Sequence, residues 1–259
     1  MQKKSIVVKI GGSTLGNHDT TLEDLVELQR QGISAVVVHG GAKVTSSWLA
    51  RLGISTSFIN GLRVTDAETL KVVAAALGGQ VNKELVVAIQ ALEGRAVGLS
   101  GCDGNLLQAT IKSSELGYAG EIVTVDPAPL RLLLEAGYMP IVAPISFGSV
   151  EGRMMLLNVN GDAAAGAIAA ALAAERLIFL TDVDGICDAS GKVIPRLNIA
   201  EAKTLLNSEV ASGGMIPKIK ASIKALAAVP IVRIIDGRMP HALLNETRNE
   251  IGGTTIVPE

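Results

Sequence analysis

Aromatic residues are scarce in this 259-residue chain: one Trp, two Tyr and three Phe. With hydrophobic residues at 48%, the core has to come from Val, Ile, Leu and Ala, a bias that suits parallel strands buried between helices. Cysteine is nearly absent. Cys102 and Cys187 are too few for the disulfide framework of a secreted scaffold. Charge of one sign is missing too: a formal net charge of −2 gives no broad basic field and argues against nucleic acid as a main partner. The N-terminus, MQKKSIVVKIGG, has no long apolar run before its glycines and does not read as a signal peptide. The most apolar stretch, 163 to 180, is interrupted by Glu175 and Arg176, so it reads as helix then strand and not as a membrane span. A soluble cytoplasmic protein is expected, either one large α/β domain or two closely joined lobes.

The common nucleotide fingerprints are also missing. No G-x-x-x-x-G-K-[ST] occurs, and Gly191-Lys192-Val193 lacks both the hydroxyl residue and the upstream glycine in register. No G-x-G-x-x-G follows a strand. Asp182-Val183-Asp184-Gly185 resembles the start of a calcium loop, but Val193 stands where the closing bidentate Glu belongs, which excludes an EF-hand. His18, His39 and His241 lack metal-ligand spacing, no Ser/His/Asp triad stands out, and His39 reads as structural.

What is present is an alternation of strands and helices. Strands are predicted over 5–10, 34–39, 96–100, 140–143, 177–181 and 231–235. Thr20-Thr21-Leu22-Glu23 has capping-box spacing and opens one helix. Thr65-Asp66-Ala67-Glu68 opens another, which falters at Gly78-Gly79, resumes through Ile89 and stops at Gly94. Further helices are predicted around 130–136, 163–175, 218–228 and 241–248, with hairpins between 106 and 125. This rhythm implies right-handed crossovers and a mainly parallel, open sheet. A boundary between lobes would fall near Ala170, inside a continuous sheet.

Such sheets bind ligands beyond the C-terminal ends of their strands. Lys9-Ile10-Gly11-Gly12, Val38-His39-Gly40-Gly41, Leu99-Ser100-Gly101 and Leu180-Thr181-Asp182 all fall at predicted ends of this kind. A glycine after one strand is ordinary turn chemistry; the repetition over four suggests an anion site, because glycine lets backbone N–H groups come close. Lys9, and Lys218 in Gly213-Gly214-Met215-Ile216-Pro217-Lys218, add mobile positive charges. Phosphoryl transfer is the first chemistry this suggests. Asn158-Val159-Asn160-Gly161-Asp162 precedes an alanine-rich helix and fits a helix cap; it equally fits Asp162 holding Lys9 and Lys218 by charge pairing. Arg63 reads either as a solvated surface charge or as a bidentate grip on a carboxylate. The segment 182–185 reads as a plain turn or as the lining of a nucleotide cavity.

In family order and over nearly the whole chain, these motifs resemble the amino acid kinase family. Gly98-Leu99-Ser100-Gly101-Cys102-Asp103-Gly104-Asn105 belongs to the same series. Gly61-Leu62-Arg63-Val64-Thr65-Asp66 and the tail Asp236-Gly237-Arg238-Met239-Pro240-His241 resemble its acetylglutamate-phosphorylating branch more narrowly. The resemblance implies an α/β three-layer sandwich with an open, mainly parallel central sheet of about eight strands. Residues 1–170 would form the lobe for the acyl amino acid and for dimerisation, and residues 171–259 the lobe for ATP. It further implies transfer of the γ-phosphoryl of MgATP to the side-chain carboxylate of N-acetyl-L-glutamate, the second step of arginine biosynthesis, with Mg²⁺ held mainly by ATP phosphates and water.

On that pattern Lys9 and Lys218 would neutralise the phosphoryl in transfer, with Asp162 orienting both. Gly11, Gly12, Gly40 and Gly41 would give N–H groups to phosphoryl and carboxylate, and Arg63 and Asn158 would hold the α-carboxylate end. Asp182, Val183, Asp184, Gly185, Val210, Ala211, Ser212, Gly214 and Met215 would line the adenine–ribose site. One departure is Ala42, where the family usually has a third glycine, and its methyl bears on which acyl amino acid is taken. Lys9 also comes early, which on the family pattern implies a homodimer insensitive to arginine. The competing expectations are a kinase for a related carboxylate such as carrier-bound aminoadipate, and a non-catalytic nucleotide or amino-acid sensor of the same fold.

Overall fold

The computed structural model describes residues 5–11, 20–208, 211, 213–248 and 252–259. Chain order begins β1 (Ser5–Ile10), α1 (Thr21–Arg30), β2 (Ser34–His39) and α2 (Ala42–Arg51), then a hairpin of β3 (Phe58–Ile59) and β4 (Leu62–Arg63). A long helical run follows: α3 (Ala67–Ala74), a π-helical segment (Ala75–Val81) and α4 (Asn82–Ala91). Next come β5 (Ala96–Ser100), β6 (Leu107–Ile111), β7 (Ala119–Val125), α5 (Ala128–Glu135), β8 (Met139–Ala143), β9 (Ile145–Val150) and β10 (Arg153–Val159). The remainder is α6 (Gly161–Leu172), β11 (Arg176–Thr181), β12 (Arg196–Asn198), α7 (Ile199–Leu206), α8 (Met215–Ala225), β13 (Val232–Asp236), α9 (Ala242–Thr247) and β14 (Thr254–Val257).

Eight strands form the central sheet in the order β12-β14-β13-β11-β1-β2-β8-β5, and only the β13–β14 pair is antiparallel. All six strands expected from the sequence are in it. Side chains alternate across its faces as the pleat requires. Val7, Val36, Val38, Leu177 and Phe179 join one buried cluster with Ile168 of α6 and Ile219 of α8. Ile6, Val8, Ile10, Val37, Ile178 and Leu180 join another with Leu25 of α1, Ile89 of α4 and Leu243 of α9. Helices thus cover both faces, and the three expected layers are present. Because β1, β2, β5, β8 and β11 run parallel, their C-terminal ends lie along one edge.

The structure departs from expectation at several points. The capping box at Thr20 does not form: its side chain makes no cap hydrogen bond, and Thr20 Oγ1 instead accepts from the His241 N–H at 2.6 Å. Gly78-Gly79 does not interrupt its helix. The backbone widens into the π-helical segment and continues into α4, giving one 25-residue apolar run, Ala67–Ala91. That run is long and apolar enough by composition to cross a membrane, but here Val81, Leu85 and Ile89 pack into the sheet's core cluster. The hairpin expected between 106 and 125 is β6–β7, and it closes with β9 and β10 into a four-stranded barrel. Helices α2 and α7 were not anticipated.

Candidate active site

Lys9, the penultimate residue of β1, has its side chain on the face covered by α6. At the start of α6 it is Asn160 that caps: its side chain accepts from the N–H groups of Asp162 at 2.9 Å and Ala163 at 3.0 Å. Asp162 is therefore spared the capping task and is free to pair with charges. Lys9 Nζ lies 2.7 Å from its Oδ1, and Lys218 Nζ, from α8, lies 3.3 Å from its Oδ2. Asp162 is buried. Burial alone pushes its carboxyl up, but the two ammonium groups outweigh this and hold it below the ordinary carboxylate range. One carboxylate thus keeps two like-charged side chains side by side.

Two cavities meet at this cluster. Lys9 and Asp162 line a cavity of about 180 Å³ together with Gly40, Gly41, Arg63 and Asn158. Lys218 lines a second, of about 360 Å³, with Asp182, Val183, Gly185, Gly214 and Met215. The N-terminal ends of α2 and α6 border the first and that of α8 the second, so partial positive charge is directed at the same place as the lysines.

The strand-end glycines are held from beneath. His39 is fully buried, with Nδ1 2.8 Å from Gly40 O and Nε2 3.1 Å from Asn82 Nδ2. An amide nitrogen only donates, so Nε2 accepts, and Nδ1 carries the proton given to the Gly40 carbonyl. Burial, helped by the positive charges of Lys9 and Lys83, pushes the His39 pKa down to about 4. Asn82 also donates to Ile141 O at 2.8 Å, which ties β2 and β8 together just below the site. Gly41 lies close under the π-helical segment, so that an added Cβ would require the Leu77 side chain to shift.

Arg63 is buried and is not a solvated surface charge. Its guanidinium donates to Thr56 Oγ1, to Ala42 O at 3.2 Å and to Ser46 Oγ at 2.8 Å, and it stacks 4.6 Å from the Phe58 ring centroid. Asn158 Nδ2 donates to Thr65 Oγ1 at 3.0 Å, and Thr65 Oγ1 donates to Arg63 O at 2.9 Å.

The amino acid kinase family profile matches residues 4–236. An acetylglutamate kinase of Dehalococcoides mccartyi is 44% identical over 255 residues, covering 97% of this chain and 94% of that relative. One of Thermosynechococcus vestitus is 45% identical over 264 residues, covering 98% and 88%. The chain belongs to the amino acid kinase family. Among solved structures, a Streptococcus mutans protein, smu.665, superposes with a TM-score of 0.85 at 29% identity, covering 100% of both chains. Carbamate kinase of Giardia lamblia bound to AMP-PNP gives 0.71 at 14% identity and covers 99% of both chains, a likeness of fold alone.

Of the expected site residues, Lys9, Gly40, Gly41, Arg63, Asn158 and Asp162 line the smaller cavity, and Asp182, Val183, Gly185, Gly214, Met215 and Lys218 the larger. Gly12, Val210 and Ser212 lie outside the described residues. Gly11 follows directly on β1, and Ala211 lines the larger cavity. Asp184 does not line it; its carboxylate lies 3.5 Å from Arg238 Nη2. The smaller cavity also has Thr45, Phe58 and Lys112 in its wall, and the larger one has Thr181, Cys187, Asp188 and Leu205. Apart from Thr181, which stands in the Leu180-Thr181-Asp182 strand end, those residues carried no motif. Their signal was only proximity in sequence to one. Among the described residues no group of three or more His, Cys, Asp or Glu side chains gathers as a metal site would require.

Proposed function

We propose that this chain is a kinase that moves the γ-phosphoryl group of MgATP onto the side-chain carboxylate of N-acetyl-L-glutamate, giving N-acetyl-L-glutamyl 5-phosphate in the second step of arginine biosynthesis. The observation that carries the reading is the Lys9–Asp162–Lys218 cluster standing between two cavities, one for each reactant. The relatives that match over nearly the full length support the choice of substrate.

A glutamate side chain is already ionised at neutral pH, so its carboxylate oxygen attacks without a general base. A new P–O bond forms to that oxygen as the bond from the γ-phosphorus to the bridging oxygen breaks, and that oxygen leaves on ADP. The obstacle is repulsion between an anion and a polyphosphate, and catalysis is largely alignment and charge neutralisation. Lys9 and Lys218 supply the neutralisation, and Asp162 keeps both ammonium groups in reach of one phosphoryl. Gly41 would present its backbone N–H, together with Gly11 and Gly12 as the family pattern implies; the Gly40 N–H is not available for this, because it already donates to Ile10 O at 3.0 Å. Arg63 and Asn158 grip the α-carboxylate end, which fits a guanidinium with donors left after its contacts to α2.

The larger cavity takes the adenosine part of ATP, lined by Asp182, Val183, Gly185, Ala211, Gly214 and Met215; the family pattern would add Val210 and Ser212. Both oxygens of Asp162 are taken by lysines, so Mg²⁺ would ride on ATP phosphate oxygens and water, as its preference for retained waters allows. Bound there, the ion would spread the developing charge. Residues 1–170 form the acyl amino acid lobe and 171–259 the nucleotide lobe. A cytoplasmic homodimer is the proposed form, checked by light scattering and fractionation.

ADP release measured with N-acetylglutamate, glutamate, aspartate and carbamate, with hydroxylamine trapping of the acyl phosphate, tests the assignment. N-acetylglutamate is expected to be preferred by at least tenfold in kcat/KM; no preference overturns it.

A further inference from the structure

Thr45 has no part in the scheme above, yet it lines the same cavity as Arg63 and Asn158. It lies one turn into α2, is 2% exposed, and its Oγ1 has no hydrogen-bond partner among the described residues. A helical threonine usually turns its hydroxyl back onto a carbonyl three or four residues earlier. Here the Gly41 carbonyl, four residues back, takes the Thr45 N–H at 2.9 Å, and the hydroxyl stays unused. Buried hydroxyls seldom lack partners, because they give up hydration for nothing. An apolar residue of the same shape would fill the position without that penalty, so a partner that arrives with the substrate accounts for the hydroxyl.

The neighbourhood says what kind of partner. Ala42 O and Ser46 Oγ, on the same helix, hold the Arg63 guanidinium. Val73 and Leu77 add an apolar wall to the cavity. A cation, an apolar surface and an uncommitted hydroxyl suit the acylated α-carbon end of an amino acid, with a carboxylate, a short alkyl group and a carbonyl oxygen.

We propose that Thr45 is a specificity-determining residue whose hydroxyl donates to an oxygen at the acyl end of the substrate, the end that Arg63 holds. The inference rests on the kinase reading above and adds a contact to it. A site built to hydrogen-bond one substrate oxygen discriminates against analogues that lack it.

Steady-state kinetics and calorimetric binding of Thr45→Val and Thr45→Ser, with N-acetylglutamate and with glutamate, provide the test. Thr45→Val is expected to raise the KM for N-acetylglutamate by about tenfold, the scale of one lost hydrogen bond. The loss should fall on KM rather than kcat, leave the KM for ATP unmoved, and be reversed by Thr45→Ser. A purely structural orphan predicts the opposite: Thr45→Val melts at a higher temperature with its KM unchanged, and that result overturns the proposal. Weaker binding of N-acetylglutamate but not of glutamate assigns the acyl carbonyl as acceptor; equal losses on both assign the α-carboxylate. Thr45→Ala removes the same hydroxyl and gives the same reading should the valine variant fail to fold. Wild-type protein that does not turn over N-acetylglutamate sinks the proposed reaction, whereas wild-type turnover with unchanged KM in the variants sinks the Thr45 contact alone.

Discussion

Asn82 donates its side-chain amide to His39 Nε2 at 3.1 Å and thereby decides which nitrogen of a fully buried imidazole keeps the proton. The other nitrogen is then committed to the carbonyl of Gly40, at 2.8 Å, beside the Gly40-Gly41 turn that borders the smaller cavity. A residue where the π-helical segment meets α4 thus sets the conformation of a turn on the opposite element. Gly98 is small for the same reason: a Cβ there would collide with Asn82 Oδ1. Helices that widen into a π turn often do so at functional sites, and this one brings both Leu77 and Asn82 beneath the turn.

The His39 arrangement has a pH signature. Its folded pKa of about 4 lies below the ordinary histidine value of 6.5, so between those values the unfolded chain binds a proton that the folded chain refuses. Its stabilisation is fully present above pH 6.5 and is lost as pH falls toward 4, by up to about 3 kcal/mol. Asp24, raised by burial, works in the opposite sense in the acid range. The difference between wild type and His39→Gln is therefore the quantity to read. Urea unfolding at pH 7, 5.5 and 4.5 is expected to show a shallower loss in the variant; parallel curves would count against a neutral buried ring.

Replacing Asp162 by Asn leaves two ammonium groups adjacent with no counterion. Breaking a buried ion pair from one side costs roughly 3 kcal/mol, and a drop of that order in unfolding free energy is expected, with kcat reduced at least a hundredfold. The carboxyl of Asp162 is held below its ordinary range, so its contribution in the wild type is present above about pH 4 and lost as pH falls through the folded value. A variant with near-normal turnover would remove Asp162 from the site.

Lys9→Met and Lys218→Met retain stem length without the charge. Each is expected to lower kcat by roughly 10²–10³, the scale of one lost donor to a developing anion, while the KM for N-acetylglutamate changes by only a few-fold. A loss in KM alone would mean that the lysine binds reactant and transition state equally well.

Arg63→Lys keeps the charge and loses the fork. Three contacts, to Thr56, Ala42 and Ser46, depend on that fork. A compact ammonium cannot span them and grip a carboxylate as well. An increase of about tenfold or more in the KM for N-acetylglutamate is expected, together with a lower melting temperature. Unchanged kinetics would assign Arg63 to the architecture of the β3–β4 hairpin alone.

The central strands were legible because buried parallel strands read as β-branched runs, as in Ser5–Ile10 and Ser34–His39. Helix α2 was not: its only buried residues are Thr45 and Leu49, too few for an amphipathic period to show. Thr20 misled for a different reason, since a hydroxyl with capping-box spacing was claimed by a backbone N–H 221 residues away. Asp162 stood in two readings until Asn160 was seen to take the cap.

By itself the sequence determined the residue types for an anion site, the alternation that builds a parallel sheet, and the glycines needed where the backbone closes on it. Those properties are local in the chain, because they follow from side-chain shape, β-branching and backbone freedom. Only the tertiary structure decided that Lys9 and Lys218 share one carboxylate, that Arg63 is buried, and that the Thr45 hydroxyl has no partner among the described residues. Those depend on contacts between segments far apart in sequence, where burial and distance set the strength of every charge and hydrogen bond.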